Sequence, residues 1–248
     1  SAYRAGTIES RGLFLHFYTN GQIEDMPEKT EKYFYAYDAC DGRTKTGMAR
    51  AGHRIVWWAG PGETADFELL YTMNRPEKEN PENKEKKEYT LPSVRQIIDE
   101  EKQRRKELAK TAGFRSETAA FLAKSADQFL SERESTGGKT ILAGYPFFED
   151  WGRDTMIALP GICLSTGRYE EAKSILRTFA AYEKDGLMPN LFPEGENEPM
   201  YNTVDASLLF INCVFLYYNR TGDRDFVREV YPVMRRIVEC YKKGTEYG

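Results

Sequence analysis

The sequence predicts a multi-domain chain of mixed α and β structure. The end of a β-sandwich leads through a charged linker with a helix into an incomplete two-layer helical toroid. Three observations carry this expectation. Aromatic and β-branched runs with strand-like spacing fill residues 1–74, a charge-balanced stretch follows, and from residue 112 the apolar period becomes helical.

The expected strands are Leu13–Thr19, Tyr33–Tyr37, Arg54–Ala59 and Phe67–Met73, separated by Gly, Asn, Asp and Pro. With no helix between them, they suggest part of a sandwich. Residues 75–111 read as a solvated connector. Its first fourteen residues carry five positive and five negative charges, and a helical pattern runs from about Ser93 to Lys110.

Residues 112–248 supply three amphipathic stripes. They are Ala119, Leu122, Ala126 and Phe129-Leu130; then Ala172, Ile175-Leu176 and Phe179; then Val227, Val230-Tyr231, Met234, Ile237-Val238 and Tyr241. Two more helices, near Thr155–Ser165 and Val204–Asn219, are apolar almost all round, so they are expected to be buried on every side. Each is joined to the next helix by a short Thr-Gly link, at Gly167 and again at Gly222, 55 positions later. Glycine there provides the left-handed residue a tight helix reversal needs. Long loops, Gly138–Gly152 and Lys184–Asn202, precede the apolar helices. Alternating long and short links around buried and amphipathic helices predict an inner ring wrapped by an outer one, with the long loops at a single mouth.

Composition removes several function classes. With 35 Lys and Arg against 39 Asp and Glu, the net charge is -4 and no basic stripe offers itself to nucleic acid. The longest apolar stretch, Leu208–Tyr218, is too short for the roughly 20 residues that cross a bilayer, so no membrane partner is expected. Cys40, Cys163, Cys213 and Cys240 are widely spaced and read as buried free thiols of a cytoplasmic protein. His16 and His53 sit in strand-like text, away from any metal-ligand cluster, so neither a zinc site nor a cofactor is expected. Gly138-Lys139-Thr140 resembles the end of a phosphate loop, but Arg133 stands where the first glycine belongs. Asn219-Arg220-Thr221 is read as a chance sequon at a helix end.

The candidate chemistry lies at the mouth of the toroid. Asp154 and Asp205 fall at equivalent places at the starts of the two inner helices, where an Asp also serves as a local cap or first-turn acid. Arg153 offers a planar fork of donors beside the Asp154 acceptors, a pairing suited to neighbouring sugar hydroxyls. Tyr145, Phe147, Phe148, Trp151 and Tyr201 offer flat apolar faces for a pyranose, and Asn190 and Asn202 both donate and accept. Glu149, Asp150, Glu194, Glu196 and Glu198 read as mostly solvated loop acids.

Three segments in order, Gly144-Tyr-Pro-Phe-Phe-Glu-Asp-Trp-Gly-Arg-Asp-Thr155, Gly186-Leu-Met-Pro-Asn190 and Tyr201-Asn-Thr-Val-Asp-Ala-Ser207, resemble the amylo-α-1,6-glucosidase domain of prokaryotic-type glycogen-debranching enzymes. That resemblance implies an (α/α)6 barrel related to glucoamylase, of which residues 112–248 form the N-terminal part, while residues 1–74 resemble the closing strands of the preceding β-sandwich. It implies inverting hydrolysis of α-1,6-linked glucose at branch stubs of a branched α-glucan such as glycogen or limit dextrin. Asp205 would be the general acid, with Trp151, Arg153, Asp154, Asn190, Tyr201 and Asn202 around the sugar. The base would be a Glu later in the barrel, so this chain alone would be inactive and would need the remainder of the barrel, or self-association, to cover its inner helices. A helix start favours the carboxylate, so Asp205 would have to be buried or placed beside another acid to hold a proton; full exposure, or an arginine paired with it in a complete enzyme, would require the assignment to be abandoned. The alternatives are another toroidal α-glycosidase, glucoamylase-like or trehalase-like, and a non-catalytic helical scaffold that binds carbohydrate or protein.

Overall fold

The computed structural model describes residues 3–10, 13–40, 42–74, 93–133, 135–145, 148–191 and 198–245. Phe147, Glu194, Glu196 and residues 75–92 of the charged linker lie outside them. The protein is mixed α and β, with two compact units, residues 1–100 and 101–248. Among the described residues no helix is long and apolar enough to cross a membrane.

In the first unit, strands β1 (Arg4–Ser10), β2 (Leu13–Thr19) and β5 (Leu69–Asn74) form an antiparallel sheet in the order β1-β2-β5. Strands β3 (Gln22–Phe34) and β4 (Thr46–Val56) form a long antiparallel hairpin whose register shifts between Asp25 and Lys29. The expected strand Tyr33–Tyr37 is only the end of β3, because the short helix α1 (Ala36–Cys40) takes over. Alternation along β2 turns Phe17 and Thr19 inward, to 3% and 0% exposure. The tight turn after β2 is held by polar side chains. Asn20 Oδ1 accepts from Trp57 Nε1 at 2.7 Å and from the Glu68 backbone N–H at 3.0 Å.

Helix α2 (Val94–Ala112) is a polar rod with no fully buried residue. Helix α3 (Glu117–Ala126) is shorter than its predicted stripe, since Phe129 ends a 3₁₀ turn and Leu130 opens a β-hairpin. Within the stripe, Leu122 is exposed and Ala123 buried instead. The hairpin pairs β6 (Leu130–Arg133) with β7 (Gly138–Ile141), so part of the expected long loop is strand.

The core of the second unit is built by α4 (Gly152–Leu159), α5 (Tyr169–Ala181), α6 (Asp205–Thr221) and α7 (Arg224–Lys243). Pro160 ends α4 as a regular helix, and a π-helical turn, Pro160–Leu164, continues the rod. Proline has no N–H to offer the Met156 carbonyl four residues back; the Cys213 thiol of α6 donates to that oxygen at 3.1 Å. Helix α5 buries Ala172, Ile175, Leu176 and Phe179, the stripe its periodicity predicts. Helix α7 turns much of its predicted stripe inward, with Val227, Met234 and Tyr241 packed against the core. Phe226, Val230, Val233 and Ile237 are buried, whereas Tyr231 and Val238 from the predicted stripe are exposed.

Two further expectations are corrected. Helices α4 and α6 are not enclosed on every side, since Ile157, Leu208 and Phe215 are 61%, 48% and 58% exposed. The cysteines are free thiols, but only Cys163 and Cys213 are buried, while Cys40 is exposed and Cys240 half-buried.

Candidate functional site

The site begins with the way the two long loops are fastened. Asp150, read above as a solvated acid, is 1% exposed and accepts from Arg133 Nε at 2.9 Å and Thr140 Oγ1 at 2.6 Å. An ion pair this buried is orienting rather than strongly stabilising, because desolvation consumes most of the attraction. It fixes the chain just before Trp151 against the β6–β7 hairpin.

Trp151 is the extended residue that caps α4 and forms an isolated antiparallel bridge with Leu191. Next to it, the Gly152 N–H donates to the Asn190 carbonyl at 2.7 Å. A Cβ at Gly152 would stand 2.1 Å from the Pro189 carbonyl oxygen, so only glycine permits this approach. Lys184–Leu187 form a tight turn with Asp185 and Gly186 at φ 50° and 83°. Positive φ at both centres matches the Asp-Gly type I′ turn. Glu183 braces it, accepting from the Gly186 N–H at 2.8 Å while pairing with Arg236 of α7. Ser207 then accepts from the Met188 N–H at 2.8 Å and attaches the loop to α6. The sequence reading missed Asp150, Glu183 and Ser207 as loop anchors; a serine inside the apolar text of α6 was the available signal.

On this frame the predicted residues divide. Arg153 and Asp205 meet, with Nε 3.0 Å from Oδ2 and side chains 59% and 41% exposed. The other Asp205 oxygen, Oδ1, accepts from Thr203 Oγ1 at 2.8 Å. The starts of α4 and α6 therefore lie side by side. Asp154 itself is exposed at the third position of α4. Neither feature expected to keep Asp205 protonated surrounds it here, since its carboxyl is partly solvated and its neighbours are a hydroxyl and a guanidinium.

Asn190 is 9% exposed, and its Nδ2 donates to Asn202 Oδ1 at 3.0 Å. Its own Oδ1 is the buried side-chain oxygen or nitrogen that lacks a hydrogen-bond partner among the described residues. Such an atom costs on the order of 1–3 kcal/mol unless a ligand or water donates to it. Tyr201 is already engaged. Its hydroxyl donates to the Tyr182 carbonyl at 2.8 Å, Lys184 lies over the ring, and burial together with Glu183 and Glu198 pushes the phenol above its ordinary range. Tyr145 and Phe148 are 60% and 58% exposed, and the Tyr145 hydroxyl donates to the Gln128 carbonyl at 2.6 Å.

Elsewhere in this unit, Arg104, Asp127, Lys139, Arg168 and Glu171 help line a cavity of 440 Å³. Its cations are neutralised by neighbours, with Arg104 and Arg168 on Asp127 and Lys139 on Glu132. The Arg153–Asp205 contact and, separately, the unpartnered Asn190 oxygen are the features suited to a hydroxyl-rich ligand.

Comparison with known proteins is consistent with that chemistry. A family model described as amylo-alpha-1,6-glucosidase matches residues 124–248. A glycogen debranching enzyme of Saccharomyces cerevisiae is 37% identical over 116 residues, which is 42% of this chain and 8% of that relative. The chain thus spans less than a tenth of that relative's length.

Proposed function

Because the chain belongs to the amylo-alpha-1,6-glucosidase family, we propose that it forms part of a glycoside hydrolase that removes α-1,6-linked glucose from branch stubs of glycogen-like glucans. The observation that carries this reading is the meeting of Arg153 and Asp205, 52 positions apart, at the starts of neighbouring helices. Asp205 is the general acid for the glycosidic oxygen. Arg153, Asp154, Asn190 and Asn202 hold sugar hydroxyls, Trp151 offers a stacking face, and Tyr201 steadies the loop while presenting its ring edge. The unpaired Asn190 oxygen supports this assignment, since a ligand hydroxyl can donate to it.

Hydrolysis with inversion needs a second carboxylate about 6.5–9.5 Å from the acid, to activate water on the far side of the sugar. The proposal assigns it to a later turn of an (α/α)6 toroid of which residues 112–248 form the first part, with residues 1–74 as the end of a β-sandwich and 75–111 as linker. The exposed Ile157, Leu208 and Phe215 support this arrangement, because further helices would cover them.

The test is hydrolysis of limit dextrin and of linear maltodextrin by the full-length protein, beside its Asp205→Asn variant. Release of glucose from the branched substrate, lost in the variant, is the expected result; preference for the linear one would indicate a glucoamylase-like enzyme. A second reading draws on the ion pair. A carboxylate already held by Arg153 suits a non-catalytic carbohydrate-binding scaffold, which would show saturable sugar binding and no cleavage from any substrate.

A further inference from the structure

We propose that Thr203 is the positioning residue for Asp205. Its hydroxyl holds Oδ1 and thereby leaves Oδ2, the oxygen now paired with Arg153, as the atom that carries the proton to the ligand. This inference rests on Asp205 being the acid.

The two carboxylate oxygens have unlike partners. Oδ1 accepts from Thr203 Oγ1 at 2.8 Å, a contact within one turn of chain at the mouth of α6. Oδ2 faces Arg153 Nε at 3.0 Å, on a side chain 59% exposed and carried by a different helix. The Thr203 contact is local and set by the backbone, which is itself fixed where the Tyr241 hydroxyl of α7 donates to the Val204 carbonyl. Arg153 has solvent on one side and can turn to a sugar hydroxyl. The oxygen that keeps a donor becomes the less basic of the two, so a proton arriving after Arg153 leaves goes to Oδ2.

The chemistry then balances. Oδ2 gives its proton to the glycosidic oxygen while the bond from that oxygen to C1 breaks and its electron pair stays on the oxygen. Water bonds to C1, and its proton passes to the second carboxylate. Asp205 ends ionised, again a partner for Arg153 once the glucose has gone. Local loss of the Thr203 contact would let the carboxyl rotate, and a misplacement of about 1 Å at a reacting group costs on the order of 100-fold.

The experiment compares Thr203→Val, which keeps shape but removes the donor, with Thr203→Ser, which keeps the donor, in the full-length protein. For Thr203→Val, kcat on limit dextrin is expected to fall roughly 10- to 100-fold with KM within about twofold. Removing a donor to the charged form favours the neutral acid, so the basic limb of the pH–rate profile is expected to move to higher pH. Thr203→Ser restores both. A basic limb that stays in place in Thr203→Val, or a Ser variant no better than Val, overturns the inference. Asp205→Asn, run alongside, separates the two failures. If that variant turns over normally, the acid assignment falls and this inference with it; if it is dead while Thr203→Val behaves as wild type, only the role of Thr203 falls.

Discussion

The two helical hairpins, α4–α5 and α6–α7, are built on one plan and part company at their ends. Both turn on a glycine in the left-handed region, Gly167 at φ 78° and Gly222 at φ 68°. Both open their second helix beside an ion pair to the preceding segment, but with the signs exchanged. Arg168 reaches back to Asp127 in the first hairpin, whereas Asp223 accepts from Lys173 in the second. At the opposite end, Asp154 stands exposed in the first turn of α4, while Asp205 at the start of α6 has a partner on each oxygen. The two hairpins therefore share a backbone task at their glycine reversals but differ at their other ends, where Asp154 is the third residue of α4 and Asp205 the first of α6, and the two acids are held asymmetrically.

The largest expected effect exploits that asymmetry. Under the proposed reading, Asp205→Asn in the full-length protein removes the proposed proton donor and should lower turnover on limit dextrin by about 10²–10⁴-fold, the usual contribution of a general acid. Asp154→Asn loses hydroxyl contacts instead, so its loss should appear mainly in KM. Equal losses in kcat from both variants would make the two acids a symmetric pair and remove the distinction. Next in size is a packing contrast along α6. Phe210 is fully buried and Phe215 is 58% exposed. Phe210→Ala should cost about 3–5 kcal/mol of unfolding free energy. Phe215→Ala should stay within about 1 kcal/mol. Urea denaturation of the 248-residue chain measures both, and a costly Phe215→Ala would mean that the open face of α6 is already covered in solution.

How legible this was varied with the distance over which the cause acts. Glycine at the helix reversals, the apolar stripe of α5 and the limits of β2 depend on neighbours within a turn or a strand, and the sequence displays them. The β6–β7 hairpin and two positions of the α7 stripe, Tyr231 and Val238, differ from the sequence expectation because tertiary neighbours choose among several apolar residues. Val230 and Tyr231 are equally plausible on a helical wheel, yet Val230 is buried and Tyr231 exposed. Charged residues were hardest. Asp150 among five loop acids looks like its neighbours until Arg133 and Thr140 are placed around it. Arg153 and Asp205 were both singled out, but their mutual contact joins residues 52 positions apart, and no local pattern encodes it.

Acid stability probes the exchanged ion pairs. Hydrogen bonds from Lys173 and then from the Phe226 backbone N–H hold the Asp223 carboxyl down at about 2. Burial pushes the Asp127 carboxyl up, but Arg104 and Arg168 outweigh it and hold it below the ordinary range. A carboxyl depressed in the folded state stabilises fully above its unfolded value of about 3.9. That contribution disappears as pH falls through the folded value. The urea midpoint should therefore be level down to about pH 5 and fall between about pH 4 and pH 2. Lys173→Met should flatten part of that decline, and an unchanged pH dependence would show that the second hairpin does not draw stability from this pair.

The smallest effect is a difference in reaction rate between thiols. Burial pushes both Cys163 and Cys213 up to about 12. Only about one in 10⁴ of either thiol is ionised at pH 8, against roughly a quarter for an unperturbed cysteine. Ellman's reagent at pH 8 should thus modify exposed Cys40 at once and reach Cys163 and Cys213 only when their hairpins open. Cys163 lies in the π-helical turn after Pro160, whereas Cys213 lies mid-way along regular α6 with its thiol donating to the Met156 carbonyl. If the irregular turn is the weaker point, Cys163 is labelled before Cys213, and mass spectrometry of the two peptides resolves the order. Equal rates that rise together with urea would mean that the hairpins open as one cooperative unit, so that the irregularity at Pro160 costs the first hairpin no local stability.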